Sequence, residues 1–400
     1  MLIRRTGQRL LGRAFSGPLD ETERDFVSPN VFYQQLKERE FEFFTGIPDS
    51  LLSDFLNYLG QNHPPNQNIV AANEGTAVAI ASGYHLATKK FPVVFMQNSG
   101  IGNAVNPLLS LVDPRVYKIP MLLLMGWRGE PGKKDEPQHK VQGEVMTSMM
   151  EDLNLTFEVL PDYEEGVAAA LDLALYHLKT RGTPYAFLVR RRTFLKYDYI
   201  APRENKYPLS REEAMQTILD HIGKYDAVIA AQGFTSRELL EVRQKKGFEL
   251  NQDFFCLGAR GHASSVAMGV AVAKPSKTVF CFEGDGAFLT HMGAASQIGS
   301  KNLQNFKHVI FNNEVHESAG GSPSVGDVVD FAELAKGCGY KFTATATSKQ
   351  EVIEGIKQLR ETPGPGFLEI KVKLQTRHDL RGMVSTPKQN KEQFMKFLDL

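Results

Sequence analysis

Residues 278–286, Thr278-Val279-Phe280-Cys281-Phe282-Glu283-Gly284-Asp285-Gly286, run from an apolar strand into an acidic turn. Residues 307–313, Lys307-His308-Val309-Ile310-Phe311-Asn312-Asn313, end a second strand on two amides. Twenty-five residues separate Gly286 from Asn312, and a helical stretch from about Phe288 to Ser300 fills the gap. Strand, helix and strand in that length leave both polar clusters at the carboxyl ends of parallel strands, where open α/β sheets bind ligands. A carboxylate and an amide carbonyl are hard oxygen ligands of the kind Mg²⁺ takes. Gly286 lets the backbone approach a phosphate, and the following helix offers free N–H groups and a positive dipole end. The spacing predicts a Mg²⁺–diphosphate site in which Asp285 opens a helix and Asn313 ends the next strand.

The same alternation extends outward in both directions. In the first half, strands are expected at Phe41–Phe44, Ile69–Ala72, Val93–Met96, Met121–Met125, Phe157–Leu160 and Tyr185–Val189, with helices such as Ser50–Leu59, Glu74–Thr88 and Glu164–Thr180 between them. The second half repeats the pattern, with strands at Ala227–Ala231, Phe254–Leu257, Thr278–Phe282, His308–Phe311 and Phe367–Val372. Its helices are expected at Ser236–Lys245, Ala263–Ala273, Ala287–Ser300, Phe331–Cys338 and Lys349–Glu361. Continuous apolar strands alternating with helices mean parallel sheets covered on both faces. The fold class is α/β, with two doubly wound parallel-sheet domains at 28–190 and 209–385. The charged, Pro-bearing stretch 191–208 reads as a linker, and 386–400 reads as a C-terminal tail with an amphipathic end.

The chain has 400 residues, 46 basic and 46 acidic, and is 42% hydrophobic, which suits ordinary globular cores and argues against a nucleic-acid or membrane-surface role. No apolar run approaches the roughly 20 residues of a membrane span. Cys256, Cys281 and Cys338 lack metal-type spacing, and Cys256 and Cys281, in expected strands, read as buried thiols of a reducing compartment. The first 19 residues differ: Arg4, Arg5, Arg9 and Arg13 interleave with Leu2, Ile3, Leu10, Leu11 and Phe15, and there is no acid. That is the character of a mitochondrial transit peptide, which predicts a matrix location. A disordered basic tail on a cytoplasmic protein is the alternative.

Asn73-Glu74-Gly75-Thr76-Ala77 opens a helix directly after a strand, and Ala77, Ala79, Ala81 and Gly83 give it a small-residue face. A carboxylate is favoured at a helix N-terminus, so Glu74 could be a capping acid and nothing more. The Gly-Asp-Gly motif followed by Asn-Asn, together with this Glu-Gly-alanine segment, resembles the thiamine diphosphate (ThDP) decarboxylase family. The resemblance implies ThDP and Mg²⁺ as cofactors, with Asp285, Asn313 and the Val315 carbonyl as metal ligands and Gly284, Gly286 and Ala287 beside the diphosphate. It makes Glu74 the catalytic acid that holds the pyrimidine ring. In that family the glutamate and the diphosphate site come from different subunits, which implies a homodimer or higher homo-oligomer. The segment Gly258-Ala259-Arg260-Gly261-His262 is also similar to the family's cofactor-flanking loop, and Gly258, Arg260, Gly261 and His262 are candidate cofactor contacts. Relatives carry a bulky apolar residue where this chain has Arg260. Either its aliphatic stem props the cofactor or its charge meets an anionic substrate.

The stretch Gly126-Trp127-Arg128-Gly129-Glu130-Pro131-Gly132-Lys133-Lys134-Asp135-Glu136-Pro137-Gln138-His139 follows a strand and holds the only tryptophan. Gly46-Ile47-Pro48-Asp49-Ser50 and Asn98-Ser99-Gly100-Ile101-Gly102-Asn103 follow two others. Such a cationic loop is either a solvated surface or a receptor for a small dianion, since Arg and Lys pair with phosphonate and carboxylate oxygens. All three loops resemble those of the phosphonopyruvate decarboxylases. That implies Ser50, Ser99, Asn103, Arg128, Lys133, Lys134 and His139 as substrate contacts. It also implies conversion of 3-phosphonopyruvate, an anionic 2-oxo acid, to phosphonoacetaldehyde and CO₂ in phosphonate biosynthesis. Sulfopyruvate is the nearest rival substrate. His316 is the first candidate proton donor, with His139 and His262 behind it. A cofactor-free binding module would show damage at Glu74, Asp285 or Asn313, and all three are present.

Overall fold

The computed structural model describes residues 26–197, 206–374, 376–377, 379–380 and 385–400. The basic N-terminal stretch and the middle of the expected linker lie outside these residues.

The first half forms a parallel sheet of β1 (Phe44–Gly46), β2 (Asn68–Val70), β3 (Val93–Gln97), β4 (Leu122–Gly126), β5 (Thr156–Val159) and β6 (Tyr185–Val189), in the order β2-β1-β3-β4-β6-β5. Alternate side chains separate two cores. Phe44, Val93, Phe95, Leu122, Leu124 and Phe187 pack on one face, and Val94, Met96, Leu123, Met125, Ala186 and Leu188 on the other. That period of two on both faces is why these strands read as continuously apolar.

The second half contains β7 (Ala227–Ala230), β8 (Asp253–Phe255), β9 (Val279–Gly284), β10 (Phe306–Asn312), a short antiparallel hairpin of β11 (Val315–His316) and β12 (Ser322–Pro323), then β13 (Phe342–Ala346) and β14 (Gly366–Lys371). The second parallel sheet runs β13-β14-β10-β9-β7-β8. Numbered within its own half and read from the other edge, this is the strand order of the first sheet. Phe311 pairs with Gly284 in parallel register, so the acidic turn and the amide pair leave the sheet side by side.

Several boundaries moved. The first strand starts at Phe44, and Phe41 is buried ahead of it. The alternating Thr343 and Thr345 hid edge strand β13 from the apolar-run criterion. The helix expected over Ala287–Ser300 is two helices, Asp285–Thr290 and Ala294–Lys301, separated at His291–Gly293. The Thr290 carbonyl accepts Asn73 Nδ2–H from the other domain at 3.3 Å, one bond that draws it out of the helical ladder. The amphipathic end of the chain forms the helix Pro387–Leu398, capped by Thr386, with Phe394 and Phe397 buried. Its Asn390 amide accepts from Phe255 N–H and donates to the Asp253 carbonyl, so it covers the open edge of β8. Phe194, within the expected linker, is buried and bridged to Val27, which ties the start of that stretch to the first domain. Among the described residues no helix is long and apolar enough to cross a membrane.

Candidate active site

Glu74 is the first residue of the helix Glu74–Thr88, whose N-cap Asn73 accepts from Thr76 N–H. Its carboxylate is buried. Asn103 Nδ2 donates to Oε2 at 2.7 Å. A Cβ on Gly100 would lie 2.4 Å from Oε1, so only glycine lets that backbone close over the carboxylate. Asn103, expected on the substrate, instead holds the acid. Ser99 donates to Gln97 at 2.6 Å, and Gln97 donates to the buried Asp49 at 2.8 Å. This chain joins the loops after β1 and β3, which flank the point where the first sheet's winding reverses.

Asp285 opens its helix from the end of β9, is almost fully buried, and is pushed up to about 6 by that burial. Ser324 Oγ–H donates to Oδ2. Asn312 donates to the Gly326 carbonyl at 2.7 Å and to Glu369 at 2.8 Å, so it braces the hairpin rather than facing a ligand. Asn313 points the other way: its Nδ2 donates to Glu317 at 3.0 Å, and its Oδ1 accepts Val315 N–H at 3.3 Å. Glu317 is in turn paired with the buried Arg211 at 3.2 Å. Between Asn313 and Val315, Glu314 takes the left-handed conformation, φ 64°, which turns the Val315 peptide toward Asp285's cleft. Asp285, Gly286, Ala287, Asn313, Val315 and Gly284 all line that cleft.

Arg260 lines the same cleft. Its Nη2–H donates to His316 Nδ1 at 2.6 Å, and its charge interacts with both Glu74 and Asp285. His316 is pushed down to about 3, first by burial and then by Arg260. A histidine that accepts at Nδ1 and stays neutral is poorly suited to the cationic proton-donor role expected of it. Gly286 packs against this pair: a Cβ there would meet His316 Nδ1 at 2.5 Å. Gly261, φ 81°, lets its loop touch the Ala287 carbonyl. His262 is exposed and stacks on His291 at 4.1 Å. Gly258 approaches Gln138 across the domain boundary.

The diphosphate-type cleft opens through Gln232, Gly233, Phe234, Arg260 and Ser318 into a larger cavity of about 570 Å³ between the two domains. Ser50, Arg128 and His139, three of the candidate substrate contacts, line it. Arg128 is not free, however: it grips Asp135 through two bonds of 2.9 and 2.6 Å and donates to Ser50 at 3.0 Å. Lys133 and Lys134 are not in this cavity but line a different cleft. Gln138 and His139 both line the inter-domain cavity, and their Oε1 and Nδ1 atoms are buried without a hydrogen-bond partner. Arg237, which sequence reasoning missed, lines it from the second domain and pairs with Glu136 of the first. Gly233, φ 92°, also went unread, although a glycine just past a parallel strand is a signal for backbone approach to a ligand.

Models of known families match both halves. The N-terminal TPP binding domain of thiamine pyrophosphate enzymes matches residues 29–151, and the C-terminal TPP binding domain matches residues 236–370. The chain belongs to the thiamine pyrophosphate enzymes. It is 29% identical over 343 residues to a phosphonopyruvate decarboxylase of Streptomyces viridochromogenes, covering 82% of this chain and 84% of that protein. It is 25% identical over 361 residues to a sulfopyruvate decarboxylase of Methanosarcina acetivorans, covering 84% and 89%. The beta subunit of sulfopyruvate decarboxylase from Methanocaldococcus jannaschii is 32% identical over 146 residues, which is 36% of this chain and 73% of that subunit.

The residues present fit the family's cofactor. A buried carboxylate raised to about 6 calls for a cation to keep it ionised, and its neighbours Asn313 Oδ1 and the Val315 carbonyl are oxygen donors. At the far end, a buried glutamate held by an amide, with glycine backbone against it, leaves a carboxylate that can bond a ring nitrogen.

Proposed function

We propose that this carboxy-lyase converts 3-phosphonopyruvate to phosphonoacetaldehyde and CO₂, with ThDP and Mg²⁺ as cofactors, in the formation of phosphonates. One observation carries the reading: Arg260 lines the cleft of Asp285, and its charge interacts with Asp285 of one domain and with Glu74 of the other. When bound, ThDP supplies the nucleophilic carbon and the electron sink for loss of CO₂ from a 2-oxo acid. Asp285, Asn313 and the Val315 carbonyl would hold Mg²⁺. Glu74, fixed by Asn103, would take the proton-relay position at the pyrimidine ring. Arg237 and His139, which line the cavity, would receive the second anionic group. Burial, with Arg260 adding to it, keeps His316 neutral, and burial lowers the pKa of His139 as well, so proton delivery falls to water.

Sulfopyruvate is the competing substrate, because relatives carrying either name cover similar shares of the chain. Purified protein incubated with each acid should release CO₂ and aldehyde faster from phosphonopyruvate. A clear preference for sulfopyruvate would overturn the assignment.

Self-association, which the family resemblance implies, is proposed as well. Within one chain, Asn73 beside Glu74 already bonds the Thr290 carbonyl of the second domain, and sites completed by a second copy would add to this contact. Sedimentation of the holoprotein reads the state directly. The basic N-terminal 19 residues are proposed to direct import into the mitochondrial matrix. A fluorescent fusion that stays cytoplasmic would refute this.

A further inference from the structure

The loop after β4 has two faces, and only one belongs to the active cavity. Its outer face lines a separate cleft of about 690 Å³ at the carboxyl ends of β4, β5 and β6. Lys133 and Lys134 come from the loop, and Arg190, Arg191 and Arg192 from the chain leaving β6, with Tyr163 at the rim. These five cations face three carboxylates, Glu130, Asp135 and Asp162. None of these acids is free: Glu130 pairs with Arg190 at 3.0 Å, Asp135 is held by Arg128 from the other side of the loop, and Asp162 has an interaction of its own. Arg191 reaches Asp135 only at 4.0 Å. Lys133 and Lys134 have no carboxylate partner among the described residues. Lys133, Lys134 and Arg191 are thus gathered, without a close carboxylate partner among the described residues, in a concave space of the size that holds small ligands. The forked guanidinium of Arg191 and the two ammonium groups suit the oxygens of phosphate or several carboxylates.

We propose that this cleft binds a small polyanion, a phosphate-bearing or polycarboxylate metabolite, at an effector site distinct from the active cavity. The wall between the two is one ion pair thick. Asp135 lines the outer cleft while it holds Arg128, which lines the inner one. An anion that draws Arg191 away from Asp135 acts on the carboxylate that positions Arg128.

The sole tryptophan, Trp127, lines the outer cleft and donates from Nε1 to the Gly143 carbonyl, so its fluorescence reports on the site. The holoprotein, saturated with ThDP and Mg²⁺, is titrated with inorganic phosphate at constant ionic strength. The expected result is a saturable fluorescence change that weakens at least tenfold in the Lys133→Ala/Lys134→Ala variant and persists in His139→Ala. Retention of full affinity in the lysine variant would overturn the proposal. Loss in His139→Ala with retention in the lysine variant would also overturn it, because phosphate would then occupy the active cavity. A linear response matched by chloride would show ionic screening and no site. Both lysines are exposed, so the variant keeps its core, and far-ultraviolet circular dichroism checks this.

Discussion

The two halves of this chain wind their sheets in the same order yet place their acids at different strands. Glu74 follows β2, an edge strand, whereas Asp285 follows β9, which lies between β10 and β7 inside its sheet. The position fixes the surroundings. Around Asp285 there are neighbours on both sides: the amide pair leaving β10, the hairpin of β11 and β12, and the loop after β7. A central strand end can therefore assemble several oxygens around a cation. Around Glu74 there is one helix start, one amide and glycine backbone. An edge position leaves its carboxylate as a single directed acceptor, which suits one nitrogen of a ring rather than an ion. One architecture thus yields a clamp in one copy and a pointer in the other.

Removing the pointer should give the largest effect. Glu74→Gln keeps the shape and the bond from Asn103 but removes the charge. Turnover is expected to fall about 10²–10⁴-fold, the range of a lost acid–base group, while calorimetry still detects ThDP. Near-normal turnover in this variant would erase the difference between the two acids. Removing the clamp should act on binding instead. Asp285→Ala is expected to weaken Mg²⁺-dependent ThDP affinity by about 1.5–3 kcal/mol, the scale of hydrogen bonds to charged groups, or roughly tenfold or more. Unchanged affinity by calorimetry would mean that the cation does not sit at this carboxylate.

Gly326 sharpens the same point at a subtler level. A Cβ there would fall 2.5 Å from Asn312 Oδ1 and 2.7 Å from Asp285 Oδ2. Gly326→Ala must push the hairpin away from the clamp, at about 1–3 kcal/mol for overpacking. Cofactor affinity should fall and the melting temperature should drop, and both should happen less severely than in Asp285→Ala. The pointer's kinetic role should be untouched: kcat with saturating ThDP and Mg²⁺ should remain within a few-fold of the parent.

How much of this was visible in the sequence follows from the range of the interactions. The Gly-Asp-Gly turn, the Asn-Asn end and the Glu74 helix start are local, and the strand periods around them are strong. The helix Glu74–Thr88 was bounded correctly from the small-residue face and the N-cap. What failed depended on contacts across the fold. Lys133 and Lys134 sit within a few residues of Arg128, but the turns at Gly129 and Gly132, φ 73° and 80°, send them to the opposite face of the loop. Asn103 looked like a substrate donor because nothing local says that Glu74 lies beside it. Arg211, Arg237 and Ser324 were overlooked because each reaches the site from a distant segment.

His316 gives an effect that vanishes at neutral pH, and a sign that can be checked. In the protein without cofactor its pKa is depressed to about 3 by burial, with Arg260 adding to the fall, against an ordinary value of 6.5. Between those values the folded chain binds fewer protons at this group than the unfolded chain does. The stability linked to it is therefore fully present above 6.5 and is lost progressively as pH falls toward 3. At pH 5 the loss is about 2 kcal/mol, taking about 1.4 kcal/mol per unit of pH below 6.5. His316→Asn, which keeps an acceptor for Arg260 and cannot take a proton, should flatten the decline in urea-unfolding stability between pH 6.5 and 5. An unchanged slope would mean that His316 is already charged in the folded protein. That would restore it as a proton donor beside the clamp and set it against Arg260.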